Sequence, residues 1–182
     1  MGRSRTVGAL FKDMRICVDA AHGGYDVGAS DGEKDVTLEH AFALRRALQA
    51  LGFSVVMTRV KDLWIPAGER CEIANREHCV VYVSLHASMP FAVRYWGTSA
   101  RSGTLAETLC NAVRAYVPEI EGPLVHADTT ALDLRFTHCP AVQVELGQTA
   151  EPRLQDPVHR TYLASTLATA LRTFVSSGTT YT

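Results

Sequence analysis

The sequence predicts a single α/β domain with a central, mostly parallel twisted sheet flanked by helices. Strand-like and helix-like patterns alternate along it, and no Pro/Gly/Ser-rich linker, repeat or low-complexity tract interrupts them before the SSGTTYT tail. The third strand segment is apolar almost without a break, as suits a strand buried on both faces of a parallel sheet. With 182 residues and 47% hydrophobic side chains, the chain has the size and composition of one soluble domain, assigned to residues 1–182.

The first strand is expected from Met14 to Asp19, around Ile16 and Val18, and it runs out into the small-residue turn Ala20, Ala21, His22, Gly23, Gly24. Leu38, Ala41, Phe42, Leu44, Leu48 and Leu51 then form a stripe at mostly three- and four-residue steps. Arg45 and Arg46 fall on its polar side, and Gly52 stands where a helix C-cap glycine belongs. A second strand from Phe53 to Thr58, a helix from Pro66 to Glu77 and a third strand from Cys79 to Leu85 complete a βαβαβ order. Beyond them come a weaker strand at Val93 to Thr98, a helix from Leu105 to Tyr116, a strand at Ala141 to Glu145 and a last helix from Val158 to Phe174. Between Pro118 and Pro140 the short apolar pieces could be strand, loop or both.

Composition excludes several classes of function. With 18 basic against 19 acidic side chains and no long basic run, the chain is not one whose affinity comes mainly from nucleic-acid phosphates. No segment approaches the roughly 20 apolar residues needed to span a bilayer, so no membrane insertion is expected. The five cysteines, Cys17, Cys71, Cys79, Cys110 and Cys139, are odd in number and lack C-x-x-C spacing, which predicts buried thiols in a reducing compartment. The opening MGRSRTVGALFKD lacks the apolar stretch of about 7–15 residues that marks a secretory leader, so cytoplasmic synthesis is expected. A core of this size needs no metal to stay folded, so a metal here would serve chemistry. A monomer is expected.

In open parallel sheets ligands bind at the carboxyl ends of the strands. The first strand ends in His22, the third in Ser84, His86 and Ser88, and the last in Glu145 and Gln148; the first loop adds Asp26, Asp31 and Glu33. Two imidazoles and a carboxylate are the ligand set of a catalytic zinc, which keeps a fourth position for water, and a second carboxylate would serve as base. These residues lie far apart in sequence, so only the convergence of strand ends supports them, and no H-E-x-x-H helix does.

The run RICVDAAHGGYDVGASDGEKDVTLEHAFALRRALQALGFSVVMTR resembles the opening of the zinc-dependent N-acetylmuramoyl-L-alanine amidases of the amidase-3 type, with their D-P-G-H-G-G and helix-opening E-K-x-x-N-L. The resemblance continues through ERCEIANREHCVVYVSLHAS, against R-x-x-x-A-N and S-I-H-A-N, and through PAVQVELGQTAEP, against P-A-x-L-V-E-x-G-F-x-S-N. It implies one zinc held by His22, Glu33 and His86, with Glu145 as the catalytic glutamate. It also implies hydrolysis of the amide between N-acetylmuramic acid and L-alanine in peptidoglycan, and an uncovered groove, since the stretch from His86 to Glu145 has no room for a long inhibitory helix. The chain departs from the pattern at Ala20 and Ala21 in place of Pro-Gly, at Thr37 and Ser88 in place of asparagines, and at Thr149 and Ala150 in place of Ser-Asn.

Each residue also has a plainer reading. Glu33 could be a solvated first-turn carboxylate, with Glu39 and His40 as rival ligands, and Glu145 could pair with an arginine such as Arg135. Asp19 could hydrogen-bond His22 or cap its turn. His126 could reach the groove from its loop, while His40, His78, His138 and His159 suit core or surface. Trp64 and Trp96 could stack on sugars or belong to the core. As a whole, the chain could be a zinc hydrolase of another amide, or a wall-binding module without catalysis. A lone catalytic domain without a leader resembles a phage endolysin made in the cytoplasm and released to the wall by another protein.

Overall fold

The computed structural model describes residues 11–120 and 124–178. Its six strands are β1 (Arg15–Ala20), β2 (Ser54–Met57), β3 (Val81–His86), β4 (Ala92–Trp96), β5 (Val125–Asp128) and β6 (Ala141–Glu145). They form one sheet in the order β2-β1-β3-β6-β4-β5. The helices in chain order are α1 (Glu33–Ala50), α2 (Ala67–Arg76), α3 (Ala100–Tyr116), α4 (Leu132–Phe136), α5 (Pro152–Gln155) and α6 (Pro157–Gly178).

The four strands β2, β1, β3 and β6 run parallel. β4 runs antiparallel to β6, and β5 parallel to β4. The central strands are apolar on both faces because helices cover both: Ile16, Val18, Val81, Val83, Val142 and Val144 lie fully or almost fully buried. On one face, α1, α3 and α6 pack through Leu44, Leu48, Leu105, Leu109, Leu167 and Leu171. On the other, Cys17, Ala74, Cys79, Tyr82, Leu134 and Ala141 form a smaller core. The cysteines are unpaired thiols, buried except for the half-buried Cys139. Among the described residues no helix is long and apolar enough to cross a membrane.

Most predicted elements appear within a residue or two of their expected ends. Helix α3 begins five residues before the predicted Leu105, because the Ser99 side chain accepts the Ser102 N–H and caps a polar first turn without an apolar stripe. The ambiguous stretch from Pro118 to Pro140 contains both strand and helix, β5 and α4. β5 pairs on one side only, which explains its weak pattern.

The parallel strands bring three chain segments to one rim. β1 ends at Ala20 beside Leu85 of β3, and His86 at the end of β3 stands opposite Glu145 at the end of β6. Register partners in a parallel pair project to the same face, so His86 and Glu145 are neighbours by sheet geometry alone.

Candidate metal centre

After β1 the backbone turns sharply, with positive φ at His22 (65°), Gly23 (126°) and Gly24 (60°). Reciprocal backbone hydrogen bonds between Gly23 and Asp26, 2.8 and 3.1 Å, close this turn. His22 is one of two described non-glycine residues with positive φ, a conformation that must be held by its surroundings. Much of that restraint comes from Arg59, a buried residue that follows β2. Its guanidinium donates to the carbonyls of Ala20 (2.8 Å), Ala21 (3.2 Å) and Lys34 (2.6 Å). Thr37 adds a hydroxyl bond of 2.9 Å to the Ala21 carbonyl, so the residue that replaces the family asparagine still ties α1 to the turn.

Glu33 opens α1 and is fully buried. Its Oε2 accepts the Ala29 N–H (2.8 Å), and its Oε1 accepts the Ala87 N–H (3.0 Å). The same Oε1 lies 3.2 Å from His22 Nε2 and 3.6 Å from His86 Nδ1. Gly28 makes room for this carboxylate: a Cβ there would sit 2.5 Å from Glu33 Oε2, and φ is +94°. The ligand atoms of His22, Glu33 and His86 all lie within 4.8 Å of one another. Asp31 is exposed and His40 is turned into the core, its Nδ1 2.9 Å from the Val36 carbonyl.

The outward nitrogens of both imidazoles have partners that orient the ring. His22 Nδ1 lies 3.0 Å from Asp26 Oδ1, which leaves Nε2 facing the cluster. Ser84 donates its only hydroxyl proton to Asp19 over 2.6 Å, so its oxygen accepts from His86 Nε2–H at 3.3 Å and leaves Nδ1 unprotonated toward the cluster. Asp19 thus neither bonds His22 nor caps the turn, the two roles expected for it. It is buried among four donors: Ser84, Thr58 (2.6 Å), Arg70 (2.9 Å) and Tyr82 (3.1 Å).

Charge distribution follows from these contacts. Burial works against the Asp19 carboxylate, but the Arg70 guanidinium and the hydroxyls of Ser84 and Thr58 hold its pKa below the ordinary value. Glu33 is likewise opposed by burial, and the His22 and His86 rings beside it, with the Ala87 N–H, hold its pKa far below the ordinary carboxylate value. For His22 burial disfavours the charge, while Glu33 and then Asp26 raise its pKa above the usual histidine value.

Glu145 is almost fully buried at the end of β6. Arg135, its expected alternative partner, lies instead over the rings of Trp96 (5.5 Å) and Phe136 (5.3 Å). The Ser88 N–H and hydroxyl approach Glu145 Oε2 at 3.3 and 3.5 Å, so the second departure from the family asparagines sits against the carboxylate. His126 is exposed on the edge strand β5 and paired with Arg94, outside the cluster. Sequence reasoning did not single out Arg59, whose signal is an arginine directly after an apolar strand.

These features define a class: an open-sheet α/β domain whose carboxyl rim carries three converging side chains of a kind that could hold a metal ion, with a further carboxylate one strand away. The chain belongs to the N-acetylmuramoyl-L-alanine amidase family, which it matches over residues 16–175. It is 28% identical over 179 residues to the probable cell wall amidase LytH of Staphylococcus epidermidis, covering 91% of this chain and 60% of that protein. To the N-acetylmuramoyl-L-alanine amidase AmiC of Neisseria meningitidis it is 43% identical over 76 residues, 40% of this chain and 18% of that protein. The solved structure of N-acetylmuramoyl-L-alanine amidase AmiC2 of Nostoc punctiforme matches with a TM-score of 0.82 at 25% identity, over 91% of this chain and 99% of that one.

Proposed function

We propose that this chain hydrolyses the amide bond between the lactyl group of N-acetylmuramic acid and L-alanine in peptidoglycan, with one zinc ion as cofactor. The observation that carries this reading is the convergence of His22 Nε2, Glu33 Oε1 and His86 Nδ1 beside Glu145. The donor set fits zinc: two imidazoles whose other nitrogens face Asp26 and Ser84, and one carboxylate fixed by two backbone N–H groups. Hard cations such as magnesium and calcium favour all-oxygen sites, which this is not. When bound, zinc supplies Lewis acidity, polarising a carbonyl and making water acidic near neutral pH.

His22, Glu33 and His86 would hold the ion, and their partners keep each ligand atom in place without protons. Glu145 takes the proton of the attacking water and returns it to the departing nitrogen, so a C–O bond forms as the C–N bond breaks. Ser88 steadies Oε2 of Glu145, leaving Oε1 to carry that proton. The products are a muramoyl carboxylate and a stem peptide with a free L-alanine amino group.

The test is Glu145→Gln, which keeps the shape and removes the base. General-base catalysis is worth about 10²–10⁴-fold, so turnover of muropeptides falls by that range while zinc binding is retained. Unchanged hydrolysis by this variant rules out the assigned role.

A further inference from the structure

One feature of the rim takes no part in the chemistry above. Tyr25 is 76% exposed and Trp64 is 38% exposed, and their ring centroids stand 4.9 Å apart with planes tilted by 33°. Leaving two aromatic rings in water forgoes hydrophobic burial that either would gain in a core. Both nonetheless stand on a rigid frame. Asp62 Oδ1 accepts the Gly24 N–H at 2.6 Å, and Lys34 Nζ bridges Asp62 Oδ2 (2.7 Å) and the Gly24 carbonyl (3.0 Å). Gly24 permits the contact, since a Cβ there would meet the Trp64 backbone nitrogen at 2.9 Å. The pair is therefore preorganised rather than carried on free loops.

Its position ties it to the metal centre. Tyr25 lies three residues after His22 in the turn closed by the Gly23–Asp26 bridge, so their Cα atoms are at most about 11 Å apart. Trp96 does not share this place. It ends β4, and because β4 runs antiparallel to β6 with Ala92 opposite Glu145, Trp96 falls at the far end of the strands. There it packs against the smaller core.

We propose that Tyr25 and Trp64 form a saccharide-stacking subsite that holds a pyranose ring of the substrate glycan. The proposal rests on the amidase reading, which places a sugar next to the scissile amide. A pyranose has a face of C–H groups and an edge of hydroxyls. The C–H face suits the electron-rich faces of aromatic rings, and the hydroxyl edge suits the half-exposed Asp62 carboxylate and Lys34 beside them. A cationic ligand is disfavoured, because the Lys34 ammonium already occupies the border of the platform.

The test titrates peptide-free glycan strands and, separately, free stem peptide into the full protein carrying Trp96→Phe, so that Trp64 is the reporting tryptophan. Glycan is expected to give a saturable fluorescence change that stem peptide does not. Tyr25→Ala in the same background weakens glycan binding by about tenfold, the scale of losing one aromatic-face contact. With soluble glycan-bearing muropeptides, Tyr25→Ala and Trp64→Ala each raise KM and leave kcat within about twofold, since uniform binding is lost. Absence of a glycan response, a response to stem peptide instead, or an unchanged KM overturns the subsite. Release of stem peptides by the unaltered protein is scored separately. Cleavage without glycan binding removes only the subsite, and glycan binding without cleavage removes the amidase reading.

Discussion

Replacing Ser84 by alanine tests how the fold prepares a ligand atom. The hydroxyl gives its proton to Asp19 at 2.6 Å and receives one from His86 Nε2 at 3.3 Å. Without it, His86 loses the acceptor that fixes its tautomer, and a proton on Nδ1 would block the ligand position. Losing such an outer partner of a metal-bound histidine costs about 10–100-fold in metal affinity. Stability falls by a comparable amount: Asp19 keeps Thr58, Arg70 and Tyr82 as donors, so the loss is that of one hydrogen bond to a charged group, about 1.5–3 kcal/mol. Competition with a chromogenic chelator measures the zinc affinity of both proteins, and denaturant unfolding measures stability. Ser84→Thr, which restores the hydroxyl, recovers most of the affinity. An unchanged zinc Kd in Ser84→Ala would refute the tautomer argument.

Further perturbations separate the remaining parts. Gly28→Ala forces a Cβ against Glu33 at a φ of +94°, so it weakens zinc binding and lowers stability by at least about 1–3 kcal/mol of backbone strain; a variant with wild-type unfolding midpoint and zinc affinity contradicts the packing described. His40 is buried with its Nε2 unpartnered beside Arg160 and His159, and burial first, then those charges, bring its pKa down to about 4. Below the ordinary histidine value the unfolded chain takes up this proton and the folded one does not. Stability is therefore lost as pH falls through that window, by about 3 kcal/mol at pH 4. Unfolding of metal-free protein at pH 7 and 4.5 shows a smaller pH dependence in His40→Leu than in wild type; parallel curves contradict it.

Much of this architecture can be read from the chain because its determinants are local. The apolar run of β3 and the stripe of α1 each state their burial within one segment, and parallel strands that end in His22, His86 and Glu145 bring those side chains to one rim. What escaped reading depends on several segments at once. Asp19 has its role only because Thr58, Arg70 and the β3 pair Tyr82 and Ser84 arrive from three separate segments, and nothing in VDAAH announces them. Arg59 likewise holds the His22 turn through backbone carbonyls, which carry no sequence signal. Thr37 and Ser88, departures from the family pattern, take positions against the Ala21 carbonyl and the Glu145 carboxylate that only the folded chain shows. β5 and α4 are too short and too exposed for periodicity to separate strand from loop.

The central claim is that zinc held by His22, Glu33 and His86 lets Glu145 direct water to the muramoyl amide. Mass spectrometry of peptidoglycan digested by native, chelated and zinc-restored protein tests it most directly. The account predicts stem peptides with free L-alanine amino termini and intact glycan strands, released by native and zinc-restored protein and abolished by chelation. Cuts within the stem peptides, or digestion that persists without metal, would contradict it.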